Sequence, residues 1–331
     1  MKRFPKIIIY ILSSIIFIGS FIGMIFYGYK TFYFETETVV LEEYDYHFVL
    51  IGEEMDNEYW RLIERGAKQA AKNKNVFLEY IAPKNADNDQ MLKLLDQMIS
   101  VKVDGIIVQG IEGPHFNDLV HKGIGRGIPI VTVDADVKSS ERKAYVGLNN
   151  FIAGQLAGES IVQNTFGDQY VGIVVSKLSS ISQQERIAGF KDVIKGIDRI
   201  QIVDIKESNL TQTGAAQATY SLLKDYPSIN ALVGMSALDG IGMYEGLRDI
   251  APYKEVYISA FGLLPETLYL IKNDHIDATI AEYPSDIGSE AVEILIQLQE
   301  KDILGNQFFQ ETKIVKKHHL DKEKTMNGEP K

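Results

Sequence analysis

The residues that could carry acid–base or metal chemistry in this chain are few and scattered. Six histidines stand at positions 47, 115, 121, 275, 318 and 319, without metal-ligand spacing on a helix and without a base beside an evident nucleophile. His318 and His319 follow Lys316 and Lys317 in a polar stretch, where solvent is the default environment. Asp134 and Asp136 alternate on an extended segment, so their side chains point to opposite sides and do not form an acid/base pair. The run Gly123-Ile124-Gly125-Arg126-Gly127 looks like a phosphate loop, but it ends a helix and precedes a strand, the reverse of the required order. There is no cysteine, which excludes disulfides, thiolate metal sites, a cysteine nucleophile and a lipid-modified N-terminal cysteine. No enzyme signature, cofactor or metal follows from these patterns.

Composition bounds what must position any site. At 331 residues the chain exceeds one ordinary hydrophobic core, and 45% hydrophobic with 24% charged residues is globular usage, against both disorder and a many-span transporter. The formal charge is −11, and Lys2, Arg3 and Lys6 precede a long apolar run, so the rest is more acidic still. Nucleic acid is thereby disfavoured as a partner. From Ile7 to Tyr29 no residue is charged, and a helix of that length spans roughly 30 Å of hydrocarbon. The basic residues before it and Glu35, Glu37, Glu42 and Glu43 after it place the N-terminus in the cytoplasm and the bulk outside. The run continues through Phe26 and Tyr27 without an Ala-x-Ala site, which favours an uncleaved single-pass anchor over a cleaved signal peptide.

Beyond residue 43, apolar runs alternate with helical periodicity: strand 47–51, helix 57–72, strand 76–81, helix 89–100, strand 104–109, helix 114–126 and strand 129–133. A second series runs from helix 151–166 through strand 170–175, helix 181–195, strand 200–205, helix 211–225, strand 229–233, helix 238–250, strand 256–260 and helix 265–272 to strand 278–281. Such alternation specifies α/β architecture with two doubly wound parallel-sheet lobes. Ligands in such sheets lie off the carboxyl ends of the strands, and two lobes make that region a cleft that can close by a hinge. The loops concerned carry Glu53, Glu54, Glu112, Asp134, Asp136 and Glu282 against a single cation, Arg186. A negative field there would favour polyols, an amino sugar or a small organic cation over Tyr59 and Trp60. In the plainer alternative, half of these carboxylates are solvated or cap helices.

Several fragments in fixed order resemble the type I periplasmic binding proteins, specifically the ribose and galactose binding group. They are Asp56-Asn57-Glu58-Tyr59-Trp60, Val103-Asp104-Gly105-Ile106-Ile107-Val108, Gly127-Ile128-Pro129-Ile130-Val131-Thr132-Val133-Asp134, Val146-Gly147-Leu148-Asn149-Asn150, Arg186-Ile187-Ala188-Gly189-Phe190 and Ala278-Thr279-Ile280-Ala281-Glu282-Tyr283-Pro284. The likeness runs from about residue 46 to about 317. It implies three crossings between lobes, near Asn149, near Glu282 and just after helix 286–299, with 312–316 returning to the second lobe as a strand. The implied division is anchor 1–30, linker 31–43, first lobe 44–148 with 283–305, second lobe 149–282 with 306–318, and polar tail 319–331.

The resemblance also implies a ligand-binding set of Asn57, Tyr59, Trp60, Gln109, Asp134, Asn149, Arg186, Ser236 and Glu282. Tyr59 and Trp60 would stack, Asp134 would accept hydroxyls, and Arg186 would donate from the second lobe. A pyranose suits this set, having an apolar face for an aromatic ring and hydroxyls for carboxylate and guanidinium. The alternative for Trp60, the single tryptophan, is a packed core aromatic at a helix start. Gly262 stands where the ribose group has an acidic residue, Ala135 where it has arginine, Ser236 for asparagine, Leu210 for an aromatic, and Glu282 for glutamine or asparagine. These departures point to a sugar-like solute other than ribose. The expected function is a membrane-anchored extracytoplasmic solute-binding protein, read by a sensor histidine kinase or by the permease of an ABC importer. A lac-repressor-type regulator core would need a helix-turn-helix where the apolar helix sits, and an enzyme on the same scaffold is the third reading.

Overall fold

The computed structural model describes residues 4–32, 44–300 and 305–320. The chain divides into two units, Met1–Glu43 and Tyr44–Lys331. Among the described residues the first unit is the helix α1 (Phe4–Phe32), whose apolar side chains from Ile7 to Tyr29 are exposed. Its segment Ile7–Lys30 has a mean hydropathy of 2.4 with nothing buried, so it is long and apolar enough to cross a bilayer. The expected linker beyond residue 32 and the tail beyond residue 320 lie outside the described residues.

The second unit builds two sheets. The first joins β1 (Tyr46–Ile51), β2 (Val76–Ile81), β3 (Gly105–Gln109), β4 (Ile130–Val133), β5 (Ala144–Gly147) and β11 (Gln307–Phe309) in the order β11-β5-β4-β3-β1-β2. The second joins β6 (Gln169–Val175), β7 (Ile200–Glu207), β8 (Ala231–Gly234), β9 (Tyr257–Phe261), β10 (Ala278–Ile280) and β12 (Ile314–Val315) in the order β12-β10-β9-β8-β6-β7. All pairings are parallel except β10 with β12. Helices cover both faces, which is why the strands read as apolar runs: Phe48, Val49, Leu50 and Ile51 are all 0% exposed. In the first lobe these helices are α2 (Glu58–Asn73), α3 (Asn88–Val101), α4 (Pro114–Gly125) and α10 (Pro284–Glu300). In the second they are α5 (Asn150–Asn164), α6 (Ile181–Ile194), α7 (Gln212–Asp225), α8 (Asp239–Ile250) and α9 (Pro265–Lys272).

Polar caps fix where the helices begin. The Asn57 side chain accepts from the backbone N–H groups of Tyr59 and Trp60, Asp87 from Gln90, and Asn149 from Ile152. The crossing of α5 on α6 depends on missing side chains: a Cβ on Gly154 would lie 1.9 Å from the Arg186 carbonyl oxygen, and one on Gly189 would lie 1.9 Å from that of Phe151. This close approach sets the backbone that carries Arg186.

Two strands were not foreseen, β5 and β11. They pair with each other, so residues 307–309 extend the first sheet and do not join the second lobe. The third crossing therefore falls after Phe309, several residues later than expected, and β12 then returns to the second sheet beside β10. The correction follows from the open hydrogen-bonding edge of β5, which β11 covers.

Candidate ligand-binding cleft

Both sheets reverse strand order beside their first strand, so the carboxyl ends of β1, β3 and β4 face those of β6, β8 and β9 across the gap between lobes. From the first lobe, Gln109 at the end of β3 donates Nε2 to Asp134 Oδ2 at 2.8 Å and to Glu53 Oε2 at 3.4 Å. Asp134 adopts φ 63°, a left-handed turn that aspartate tolerates, and this sends its carboxylate inward. The Tyr59 hydroxyl lies 3.2 Å from Asp134 Oδ1 and 3.0 Å from Glu282 Oε1, and its one proton serves either carboxylate. Trp60 meets Tyr59 edge to face with centroids 6.0 Å apart.

The second wall centres on Arg186, which is 3% exposed. Its Nε donates to Asn150 Oδ1 at 2.8 Å, Nη1 to the Met235 carbonyl at 2.7 Å, and Nη2 to Glu282 Oε1 at 3.2 Å. The guanidinium carbon sits 4.0 Å from the Phe261 ring centroid, a cation–π contact on its remaining face. Ser176, Ser180, Ser182, Gln183, Ser236, Ala237 and Leu238 complete this wall, with Leu210 at its edge. Between the walls lies a narrow cavity lined from both lobes, with about 520 Å³ of non-protein space when the solvent at its mouth is included.

The electrostatics follow from burial. Desolvation, reinforced by the negative charge of Asp134, pushes Glu53 up to about 7, against the opposing pull of Lys177, whose Nζ is 3.7 Å away in the second lobe. Burial also raises Glu282 above the usual carboxylate range, although Arg186 pulls it back. Asp239, wholly buried at the start of α8, is pushed up to about 6 by desolvation. A neutral acid donates a hydrogen bond where a carboxylate only accepts, so Glu53 can present either character near neutral pH.

Of the nine expected residues, Asn57, Tyr59, Trp60, Gln109, Asp134, Arg186, Ser236 and Glu282 line this one cavity. Asn149 does not. Its side chain caps α5, and the neighbour Asn150, 1% exposed, instead holds Arg186 and donates Nδ2 to the Asp134 carbonyl at 3.2 Å. Helix α5 begins at Asn150, one residue before the expected Phe151, which makes Asn149 its cap. Trp60 satisfies both of its readings, since it belongs to the first-lobe core at 2% exposure and still borders the cavity. The negative field is weaker than the loop count implied. Asp136 faces away from the cleft, paired through Oδ2 with Arg142 Nη2 at 2.7 Å and joined by Gln307 at 2.9 Å. Glu112 borders a separate small chamber beside Glu53 and Lys177. Ser182 and Gln183 were not singled out, yet they lie four and three residues before Arg186 on one helix, the spacing that shares a face.

A family model described as "Periplasmic binding protein domain" matches residues 48–302. The chain belongs to the type I periplasmic binding protein family, a family of binding proteins and not of enzymes. It is similar to GanP, a glucose-galactose binding protein from Geobacillus stearothermophilus, with 40% identity, a TM-score of 0.79, and 84% of this chain and 99% of GanP covered. The XylFII–LytSN complex gives 34% identity and a TM-score of 0.77 over 82% of this chain and 98% of the matched chain. The ribose import binding protein RbsB of Bacillus subtilis is 20% identical over 239 residues, 72% of this chain and 77% of RbsB.

Proposed function

We propose that this chain is a membrane-anchored extracytoplasmic receptor that closes its lobes over one small sugar, with the closed form read by a sensor histidine kinase. The observation that carries the reading is the cavity itself, in which carboxylates and an amide from one lobe oppose a guanidinium and hydroxyls from the other, with Tyr59 and Trp60 at one side. Bidentate acceptors and donors separated by an aromatic edge suit a polyhydroxylated ring. Asn57, Tyr59, Trp60, Gln109, Asp134, Arg186, Ser236 and Glu282 are assigned to ligand contact, and Asn149 to hinge and cap. The glucose-galactose binding of GanP supports a hexose, and the departures from the ribose pattern support a sugar other than ribose.

Residues 7–29 are assigned as the membrane anchor. A receptor fixed in the membrane beside one partner needs no diffusion between permeases, and the assembly of XylFII with LytSN supports a protein readout. Delivery to an ABC importer is the second reading, favoured by relatives that are named import binding proteins. Thermal unfolding of the full chain in detergent, with D-glucose, D-galactose, D-xylose, D-ribose and D-glucosamine each added in turn, tests the reading. A binding sugar at a hundred times its Kd raises the midpoint by about 5 °C or more. Unchanged midpoints with every sugar contradict it.

A further inference from the structure

Burial leaves one polar atom in the cleft unanswered. Gln183, on α6 three residues before Arg186, is 3% exposed and borders the cavity. Its amide nitrogen donates to the Met235 carbonyl at 3.2 Å, the same carbonyl that receives Arg186 Nη1. A carbonyl can only accept, so the nitrogen is held there, and the Gln183 Oε1 atom is left buried with no hydrogen-bond partner. An amide oxygen withdrawn from water without a donor is costly, and natural structures rarely leave one so.

The groups around it explain why the protein alone does not supply that donor. Arg186 directs three of its five N–H donors to Asn150, Met235 and Glu282, and none of the five meets Gln183 Oε1. The Ser182 hydroxyl lies 3.0 Å from that of Ser180. The acceptor is therefore set in the second-lobe wall, on a side chain that borders the cavity, and no donor among the described residues meets it.

Resting on the sugar-receptor reading, we propose that Gln183 is a specificity-determining residue whose Oε1 accepts a hydrogen bond from one hydroxyl of the bound sugar. The ligand class is thereby narrowed to monosaccharides with a free hydroxyl directed at the second lobe, and analogues deoxygenated or O-methylated there are rejected. A site built to bond a hydroxyl discriminates against the analogue lacking it because its own polar group is then left unpaired. Arg186 and Gln183 divide the work: one grips the acceptors of the cleft, the other reads a single donor.

The experiment is calorimetric titration of the full chain in detergent with the best-binding sugar of the panel above and its monodeoxy series. The parent protein loses affinity about 10- to 100-fold at one deoxy position that Gln183→Met, which keeps the side-chain volume but cannot accept from a hydroxyl, does not distinguish from the full sugar. Gln183→Glu keeps an acceptor and keeps the discrimination. Equal affinity of Gln183→Met and the parent for the full sugar overturns the proposal, as does a uniform loss across the whole deoxy series, which would mark a purely structural role. If the parent binds no sugar at all, the receptor reading itself fails and the assignment of Gln183 falls with it.

Discussion

The two lobes repeat one topology and differ in chemistry. Strands β2-β1-β3-β4-β5 and β7-β6-β8-β9-β10 share the same order, and each lobe packs a helix pair closely through glycines, α2 on α10 and α5 on α6. The first-lobe side of the cleft is nevertheless made of acceptors, Glu53 and Asp134 held by Gln109, while the second offers Arg186 and a row of serines. Glu282, at a crossing, bonds to both sides through Tyr59 and Arg186. The repeat supplies the frame, and short loops at strand ends supply the contrast across it. A ligand that bridges the two walls is held by partners that neither lobe has alone.

The sharpest way to break this contrast is to remove the cation. Arg186→Ala leaves Glu282 buried without its counter-charge, which costs the closed form about 3–5 kcal/mol. Sugar affinity by calorimetric titration then drops by more than a hundredfold. Arg186→Lys does not restore it, because an ammonium cannot reach Asn150, Met235 and Glu282 together or lie flat on Phe261. An affinity within threefold of the parent would show that the second wall has been misplaced.

The acid side has a pH signature. Glu53 lies near 7 in the closed lobes and near its ordinary value of 4.5 when unfolded, so the native form binds the extra proton. Its contribution to stability is complete below about 4.5 and is lost as pH rises through about 7, a swing of about 3 kcal/mol. Glu282 and Asp239, also raised, act in the same direction. The unfolding midpoint of the parent accordingly falls between pH 5 and pH 8, and Glu53→Gln flattens the part of that slope nearest neutrality. Identical slopes for both proteins would remove Glu53 from the account.

Gly154→Ala tests whether helix packing positions the cation. The added methyl meets the Arg186 carbonyl, so stability falls by about 1–3 kcal/mol, and affinity falls with it as the guanidinium shifts. A smaller effect separates two neighbours. Asn149→Ala removes only a cap, costing about 1 kcal/mol in thermal unfolding with sugar affinity unchanged. Asn150→Ala weakens binding because Arg186 loses its Nε partner. The reverse outcome would restore Asn149 to the site.

Much of this was legible in the chain because apolar runs and helical periodicity are local signals. Strands β1 and β2 and helices α2 and α3 fell within a residue or two of their expected bounds. What escaped was non-local. Strand β5 is four residues between polar turns, and β11 is three residues that become a strand only by pairing with β5 more than 150 positions earlier. The Asp136–Arg142 pair, buried and closed within the first lobe, depends in the same way on Gln307 arriving from β11. In the site, the family resemblance marked Arg186, Asp134 and Trp60, whereas Gln183 is an ordinary helical glutamine until burial leaves its oxygen without a donor.

The central claim is that the lobes close on a sugar, and the absence of cysteine makes it directly measurable. Lys138 of the first lobe and Glu185 of the second form an ion pair of 3.6 Å across the mouth of the cleft. With Lys138→Cys and Glu185→Cys carrying spin labels, pulsed dipolar spectroscopy on the full chain reads the gap with and without the sugar that raises the unfolding midpoint. The free protein gives a broad distribution reaching to long distances, and saturation gives a single short distance. A distribution that saturating sugar leaves unchanged would contradict the claim.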